Sequence, residues 1–271
     1  MEKNINYWIE KLQQDLDMNT CEAFWDDRAE GYSHRSERRQ EKANKLAEEL
    51  VSRGFISENS CVLDIGCGPG AYSMAFARKC REVVAMDISS KMLEKLREEI
   101  NHQGIDAIIP IEGNWDEIDL KEYGWHQRFD LVIASMSPAI HDWDTLKKMI
   151  EASRGSCYAS SFIERKDIVG DEIHQLIGKQ RTHKTDKIEC IQNILQLTGI
   201  NPELKIQQQS WEMRMSVEEA FRHYTQKIRI EQELSEKETE RIRRFLDIRQ
   251  EEGVIVEKTE ATVGELLWRV Q

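Results

Sequence analysis

The sequence predicts an α/β fold in which a mostly parallel sheet carries helices on both faces. From residue 61 onward, short apolar strands alternate with amphipathic helices, which is typical of a parallel sheet with right-handed crossover connections. A glycine-rich stretch, GCGPG at 66–70, separates the first strand from the helix that follows it. In open parallel sheets, ligands bind at this edge, outside the carboxyl ends of the strands.

Residues 1–54 are predicted to be helical and to form part of a lid. Apolar residues recur at helical spacing between Ile5 and Leu16, which indicates an amphipathic first helix. Two more helical segments precede the first strand, CEAFWDDRAEGY and RSERRQEKANKLAEELVSRG, and the second of them ends at Gly54.

Residues 55–164 are predicted to form the core of the sheet. Each predicted strand is a short apolar run, and in chain order the strands are CVLDIG, EVVAMD, IDAIIPIEG, FDLVIAS and SCYASSFI. The helices between them are AYSMAFARKC, KMLEKLREEI and a segment through Leu146, Met149 and Ile150 that Gly155 closes.

Residues 165–271 are predicted to complete the same sheet and to add helical inserts. The segment 165–200 has helical apolar spacing, whereas ELKIQQQSWEMRM alternates as a strand does. Two serines are each followed by a glutamate three residues later, which predicts the starts of two charged helices, Ser216 with Glu219 and Ser235 with Glu238. The predicted last strand is TVGELLWRV.

Composition favours a cytoplasmic protein that does not bind nucleic acid or membrane. The N-terminal segment MEKNINYWIEKLQQDL is charged, unlike a signal peptide, and no apolar run approaches the roughly 20 residues that span a bilayer. The chain has 38 Lys and Arg against 50 Asp and Glu, and a net charge of −12 repels phosphate backbones. The six cysteines show no paired spacing, which argues against a zinc site or a disulfide framework. We expect no metal, and the oligomeric state stays open.

The glycine-rich stretch has the chemistry of a ligand site. Glycines at 66, 68 and 70 let a ligand contact the backbone, because no Cβ stands in the way. Asp87 ends the second strand, 21 residues after Gly66, where an acid accepts hydrogen bonds from ribose hydroxyls. These features also fit a dinucleotide, since GCGPGA satisfies GxGxxA. Asp64, however, lies two residues before Gly66 and would repel a diphosphate. S-adenosylmethionine fits better, because it carries an ammonium group and no phosphate.

Four motifs resemble one enzyme family. VLDIGCGPGAYSMAFA resembles the first motif of the class I S-adenosylmethionine-dependent methyltransferases, and VVAMDIS, EGNWDEID and FDLVIAS follow in the family's order. WDDRAEGY at 25–32 is similar to the WDxxAxxY stretch of the small-molecule branch that includes the ubiquinone and menaquinone C-methyltransferases. The resemblance covers roughly residues 20–164. It implies a Rossmann-like, seven-stranded sheet with an antiparallel last strand, and transfer of a methyl group from S-adenosylmethionine to a small molecule.

The resemblance also implies cofactor contacts. Asp64 is expected near the ammonium group, Asp87 on the ribose hydroxyls and Asn114 on the adenine amino group. The other expected contacts surround the rest of the cofactor, and Tyr32 is expected to cover its methionyl end. The residues expected to line its methionyl, ribose, adenine or methyl groups are Gly66, Cys67, Gly68, Pro69, Ile88, Met92, Trp115, Ser135 and Met136. The alternative role of the apolar members of this set is packing in the core. The alternative role of Tyr32 is aromatic packing of the N-terminal helix.

A proton acceptor is expected only if the methyl acceptor must lose a proton first. His141, in SMSPAIHDWD after the fourth strand, is the candidate base, with Asp142 as its candidate partner. The alternative is that His141 caps or packs the following helix. The helical inserts and the N-terminal helices are expected to shape the acceptor pocket.

Other functions stay open at the level of the sequence. One alternative is a protein or a structured RNA as the methyl acceptor, and another is a protein that binds the cofactor without catalysis. An NAD-linked oxidoreductase is the weakest alternative, because Asp64 and the third motif have no role in it.

Overall fold

A computed structural model describes residues 4–14, 21–26, 29, 36–179, 183, 185–231 and 233–270. Its seven strands are β1 (Cys61–Ile65), β2 (Glu82–Asp87), β3 (Ile108–Glu112), β4 (Phe129–Ser135), β5 (Ser153–Asp167), β6 (Glu203–Ser216) and β7 (Val254–Arg269). They form one sheet in the order β3-β2-β1-β4-β5-β7-β6, in which β7 is antiparallel. The predicted Rossmann-like sheet of seven strands is thereby confirmed.

The described helices connect these strands in the predicted alternation. They are α1 (Ile5–Leu12), α2 (Ser36–Ser52), α3 (Ala71–Ala77), α4 (Ser90–Gln103), α5 (Trp143–Ala152), α6 (Ile168–Leu176), α7 (Lys187–Leu197), α8 (Val217–Glu231) and α9 (Glu236–Arg249). Residues 21–26 are also helical, and Trp115–Glu117 forms one 3₁₀ turn. None of the described helices is long and apolar enough to cross a membrane.

Parallel pairing brings the ends of three strands to one edge of the sheet. Strand β1 pairs with β2 on one side and with β4 on the other, so that Asp64 lies beside Ala85 and Ile133. The carboxyl ends of β1, β2 and β4 therefore lie together: the glycine loop follows β1, Asp87 ends β2 and Ser135 ends β4. This is the edge where open parallel sheets bind ligands.

Two predicted boundaries were wrong. Helix α5 ends at Ala152, and Gly155 lies inside β5 instead of closing the helix. A Cβ at Gly155 would lie 2.4 Å from the Asp130 carbonyl oxygen, so this glycine allows close approach of two strands. Strand β7 begins at Val254, eight residues before the predicted strand at Thr262.

The serine-capped helices are confirmed. Ser235 caps α9 in a reciprocal pair with Glu238, whose carboxylate accepts from the Ser235 backbone N–H at 2.8 Å. Ser216 and Glu219 form the same pair at the start of α8. Each pair satisfies N–H groups that a helix start would otherwise leave without a partner.

The chain forms two compact units. The first contains the described residues among 1–161, 186–205 and 265–271, and the second those among 162–185 and 206–264. The apolar core of the first unit packs α2, α3 and α4 against the sheet through residues that include Leu50, Val62, Phe76, Leu93 and Ile133. The second unit has its own core, which includes Val169, Ile173, Tyr224, Ile242 and Ile255.

Candidate functional site

The glycine loop has left-handed backbone conformations that favour glycine. The φ angles of Gly66, Gly68 and Gly70 are 70°, 55° and 88°. A Cβ at Gly66 would lie 2.2 Å from Ser137 Oγ, whereas a Cβ at Gly68 would meet open space. Gly66 is therefore required by close packing as well as by conformation, and Gly68 by conformation alone.

The N–H groups of this loop are used inside the protein. Gly66 and Cys67 both donate to the Met86 carbonyl, at 2.8 and 2.9 Å, and Gly70 donates to the Cys67 carbonyl at 3.1 Å. Gly68 donates to Asp87 Oδ2 at 2.7 Å, and Pro69 has no N–H to donate. A diphosphate binds such loops through their N–H groups. The loop therefore suits a ligand that is held by van der Waals contact and by carboxylates.

Asp64 is a buried carboxyl group, 2% exposed, beneath this loop. Ser73 Oγ donates to its Oδ2 at 2.6 Å. Burial raises the pKa of Asp64 to about 7; the Ser73 hydrogen bond opposes this rise and the nearby Asp87 adds to it. No basic side chain of the described residues forms an ion pair with Asp64. A cationic ligand would supply the charge that this carboxylate lacks.

Asp87 is buried at the end of β2 and is held by two backbone N–H groups. Gly68 donates to Oδ2, and Ser89 donates to Oδ1 at 2.9 Å. Each oxygen of a carboxylate can accept more than one hydrogen bond, so Asp87 keeps acceptor capacity for the hydroxyls of a ribose. Burial raises the pKa of Asp87, the hydrogen bonds from Ser89 and Gly68 lower it, and the charge of Asp26 raises it.

The N-terminal segment contacts the site at the start of α4. Asp26 Oδ1 accepts from Ser89 Oγ at 2.6 Å, and Ser89 caps α4 by accepting from the Met92 backbone N–H at 3.1 Å. Met92 is buried, and Ile88 is half-buried beside Asp87. Tyr32, the predicted lid residue, lies outside the described residues.

The third motif begins a 3₁₀ turn. The Asn114 side-chain oxygen accepts from the Asp116 backbone N–H at 3.1 Å and thereby caps this turn. The Trp115 indole is buried and donates through Nε1 to the Thr145 carbonyl at 3.1 Å. Both residues have structural contacts, and their predicted adenine contacts stay predictions.

The segment after β4 is held by three contacts. Ser135 and Ser160 share a hydrogen bond between their hydroxyl oxygens at 2.9 Å, and the Met136 backbone N–H donates to the Ser160 carbonyl at 3.0 Å. Met136 has a φ of 57°, an uncommon conformation for a residue with a side chain. Lys187 Nζ donates to the Ser137 carbonyl at 2.8 Å, and burial lowers the pKa of Lys187 to about 8.

His141 has a partner that the sequence analysis did not anticipate. Its Nε2 lies 3.0 Å from Asp116 Oδ1, whereas its Nδ1 is buried and has no hydrogen-bond partner among the described residues. The expected partner, Asp142, instead caps α5 by accepting from the Thr145 backbone N–H at 2.8 Å, and its carboxylate is 4.0 Å from His141 Nδ1. Asp142 therefore caps α5 and also lies near His141, and its role as the partner of His141 stays a prediction.

Some residues of the site were missed by the sequence analysis. Ser89 has a local signal, since a serine directly before KMLEKL at a helix start is a common cap. Lys187 has none, because its partner Ser137 lies 50 residues away, and Ser73 has none, because no helix or strand period relates it to Asp64 on the other side of the glycine loop. The remaining predicted residues, Cys67 and Pro69, lie in the loop itself, where Cys67 is buried and Pro69 is half-buried.

Comparison with known proteins agrees with this geometry. Residues 62–156 match the family described as methyltransferase domain. An uncharacterised protein of Haemophilus influenzae is 26% identical over 155 residues, which are 51% of this chain and 54% of that protein. A protein of Methanocaldococcus jannaschii, provisionally named a ribosomal RNA large subunit methyltransferase, is 29% identical over 138 residues, or 50% of this chain and 36% of its own length. The chain thus spans about half or less of the curated relatives it matches.

Solved structures share the fold. The YcgJ protein of Bacillus subtilis is 12% identical to this chain, with a TM-score of 0.51 over 85% of this chain and 99% of that protein. The match to a methyltransferase domain covers residues 62–156, and the strand order of the sheet is that of the class I methyltransferase fold.

Proposed function

We propose that this protein transfers a methyl group from S-adenosylmethionine to a small molecule. The observation that carries the proposal is the pair of buried acids on either side of the glycine loop. Asp64 has no ion-pair partner among the described residues, and Asp87 keeps acceptor capacity for ribose hydroxyls. The net charge of −12 supports a small acceptor over a nucleic acid. The likeness to the ubiquinone and menaquinone C-methyltransferases is part of this proposal.

The residues of the chain have distinct roles in the proposed reaction. The cofactor supplies a methyl carbon made electrophilic by a sulfonium. Asp87 binds the ribose hydroxyls, and Asp64 binds the ammonium group directly or through water. Ser135 and Met136 line the region of the methyl group. Holding the two reactants in line lowers the barrier by as much as roughly 7–11 kcal/mol.

His141 is the proposed base for an acceptor that must lose a proton. With Nε2–H donated to the Asp116 carboxylate, the buried Nδ1 keeps the lone pair that accepts a proton. The carboxylate then stabilises the resulting imidazolium, as in other His–carboxylate pairs. We expect His141→Ala to lower kcat about 100-fold or more and the exposed His126→Ala to leave it unchanged. Unaffected turnover would remove His141 from the catalytic residues.

Two experiments test the function itself. Calorimetric titration is expected to show binding of S-adenosylmethionine and none of NAD, and the reverse result would overturn the proposal. In the second experiment the protein is incubated with a deproteinised metabolite extract and methyl-labelled cofactor. Mass analysis is expected to reveal a labelled small molecule.

An RNA or protein acceptor is the second candidate, because the Methanocaldococcus jannaschii relative bears the name of an RNA methyltransferase. Label entering macromolecules of a lysate, and no small molecule, would favour it. Cofactor binding without any labelled product would favour a non-catalytic binding protein.

A further inference from the structure

Helix α5 holds the 3₁₀ turn Trp115–Glu117 at two points. Thr145 and Lys148 are three residues apart on α5, so they lie on the same face of the helix. At the first point, the Trp115 indole Nε1 donates to the Thr145 carbonyl at 3.1 Å. Lys148 provides the second point, at the residue that follows Trp115 in the turn. The turn is therefore attached to α5 through both a side chain and its backbone.

Lys148 donates to two consecutive carbonyl groups of this turn. Its Nζ lies 2.9 Å from the Trp115 carbonyl oxygen and 2.9 Å from that of Asp116. The same ammonium group lies 5.6 Å from the centroid of the Trp115 ring, where the face of the indole attracts a cation. Hydrogen bonds from a charged donor are stronger than those from a neutral one, and Lys148 is half-buried, so water competes less for them. The backbone of Asp116 is thus held firmly.

The Asp116 carboxylate depends on such support. Its two oxygens lie 3.0 and 3.2 Å from His141 Nε2, and 29% of its side chain is exposed, against 12% for His141. A partly exposed carboxylate loses side-chain entropy when it is held in one geometry, and water offers it other hydrogen-bond partners. Fixing the backbone of Asp116 removes part of that freedom, so the pair with His141 needs less ordering.

His141 is attached to the same helix. Its backbone N–H donates to Thr145 Oγ1 at 3.2 Å, and its carbonyl accepts from the Gln14 backbone N–H at 3.1 Å. Helix α5 therefore contacts both members of the His141–Asp116 pair, through Thr145 on one side and through Lys148 on the other. The distance between the proposed base and its carboxylate is set by this helix.

We propose that Lys148 is a positioning residue for methyl transfer, which holds Asp116 so that its carboxylate keeps the His141 imidazole oriented to accept a proton. Lys148 acts through these two residues and not on the reacting atoms. A carboxylate supports a histidine base by fixing its tautomer and its orientation. Displacement of a reacting group by about 1 Å can cost on the order of 100-fold in rate. This inference rests on the proposed function and on the role of His141 in it.

The test uses the full chain, methyl-labelled cofactor and a fixed amount of deproteinised metabolite extract. Lys148→Met keeps most of the apolar stem and removes the donor, and we expect it to lower the rate of labelling about tenfold. Lys147→Met is the matched control and should label at the wild-type rate. Lys147 is the neighbour of Lys148 on α5, but it is exposed and lies 3.7 Å from Glu151 on the same helix.

Two further measurements separate positioning from a general structural effect. The dissociation constant of Lys148→Met for adenosylhomocysteine, measured by calorimetry, should stay within threefold of the wild type, which also shows that the variant folds. In a His141→Ala protein, Lys148→Met should lower the residual rate less than twofold, because a residue that acts through His141 has no further effect once the imidazole is gone.

Failure of the inference and failure of the proposed function give different results. A wild-type rate for Lys148→Met, an equal loss with and without His141, or a cofactor affinity more than tenfold weaker would overturn the inference while leaving methyl transfer intact. His141→Ala at the wild-type rate would remove the base, and the inference with it, from an enzyme that still methylates. A wild-type protein that labels nothing in the extract would overturn the proposed small-molecule function as well.

Discussion

Two buried aspartates, one in each unit, are in opposite electrostatic states. Asp64 in the first unit and Asp167 in the second are 2% and 1% exposed. Asp64 accepts a hydrogen bond from one serine, and its pKa is raised to about 7 by burial. Burial acts on Asp167 in the same direction, but the charges of Lys227 and Arg165 outweigh it and hold its pKa well below the usual range.

The difference lies in the partners. Lys227 Nζ is 2.7 Å from Asp167 Oδ2, while Arg165 Nε is 3.0 Å and Thr259 Oγ1 is 2.6 Å from Oδ1. The protein thus completes the coordination of Asp167 with its own cations, which is the arrangement of a structural ion pair. For Asp64 the described residues supply a hydroxyl and no cation. A buried acid kept in this state is typical of a site that receives its positive charge from a ligand.

The largest effect on stability is expected from replacing Asp167, the aspartate with structural ion pairs. Asp167→Asn leaves Lys227 and Arg165 without a carboxylate, and we expect it to lower the free energy of unfolding by about 3 kcal/mol. Urea denaturation at pH 7 measures this change, with the exposed Asp247→Asn as the control. Since the folded pKa of Asp167 is depressed, its stabilisation is present above pH ~4 and is lost as the pH falls further. A loss below about 1 kcal/mol would mean that the ion pair is largely screened.

The next effect tests whether the ligand of Asp64 lies on the glycine loop. Gly66→Ala adds a methyl group 2.2 Å from Ser137 Oγ and strains a positive φ, whereas Gly68→Ala adds only the strain, which costs about 1–2 kcal/mol. We expect Gly66→Ala to weaken S-adenosylmethionine binding by well over tenfold and Gly68→Ala by clearly less. Calorimetry on both variants makes the comparison. Equal losses would mean that packing against Ser137 does not shape the site.

A third prediction concerns the acid on the other side of the loop. Asp87→Ala removes the proposed acceptor of both ribose hydroxyls and leaves the Gly68 and Ser89 N–H groups without their partner. We expect cofactor binding to weaken by about 1–3 kcal/mol, the value of a charged hydrogen-bond partner. An unchanged dissociation constant would contradict the proposed binding mode.

The contrast between these residues also shows which features the sequence could predict. Asp64, Gly66 and Asp87 belong to one strand–loop–helix–strand unit, β1 to β2, so their order along the chain predicts that they lie close together. The alternation of strands and helices predicts the sheet for the same reason, because each crossover is a local unit. The ion pair of Asp167 with Lys227 joins residues 60 positions apart and has no local pattern.

Two residues show why local spacing alone does not assign every role. Gly155 was predicted to close a helix because glycine commonly follows helix ends, but the approach of Asp130 on the neighbouring strand requires it inside β5. Asp142 was predicted to be the partner of His141, its neighbour in sequence. Asp142 caps α5 and lies 4.0 Å from His141 Nδ1, but the hydrogen bond of His141 is with Asp116, 25 residues away. In both cases a residue distant in sequence made the contact that the local pattern does not predict.

The smallest expected effect tests Asp64 itself, through pH. Its carboxylate must be ionised to attract an ammonium group, so affinity for S-adenosylmethionine should rise about eightfold between pH 6 and 7.5 as a group of pKa about 7 loses its proton. In Asp64→Asn this dependence should be absent, and affinity at pH 7.5 should be lower. Calorimetry at both pH values measures it, and the variant also corrects for titration of the ligand's own amine. A pH dependence equal in both proteins would show that Asp64 does not bind the charged group.

As the pH rises, the free energy of unfolding should change in the opposite direction to the affinity for S-adenosylmethionine. Because the folded pKa of Asp64 lies above its unfolded value of ~4, the folded state binds the proton more tightly, and this group lowers the free energy of unfolding as the pH rises from about 4 to 7. Asp64→Asn removes that loss, so the ligand-free variant should unfold at a higher urea concentration than the wild type at pH 8. A variant that binds the cofactor less well and yet resists unfolding better identifies a carboxylate kept for its ligand. Asp167→Asn, which should lose stability at the same pH, is the reference that distinguishes this result from a general effect of removing a buried charge.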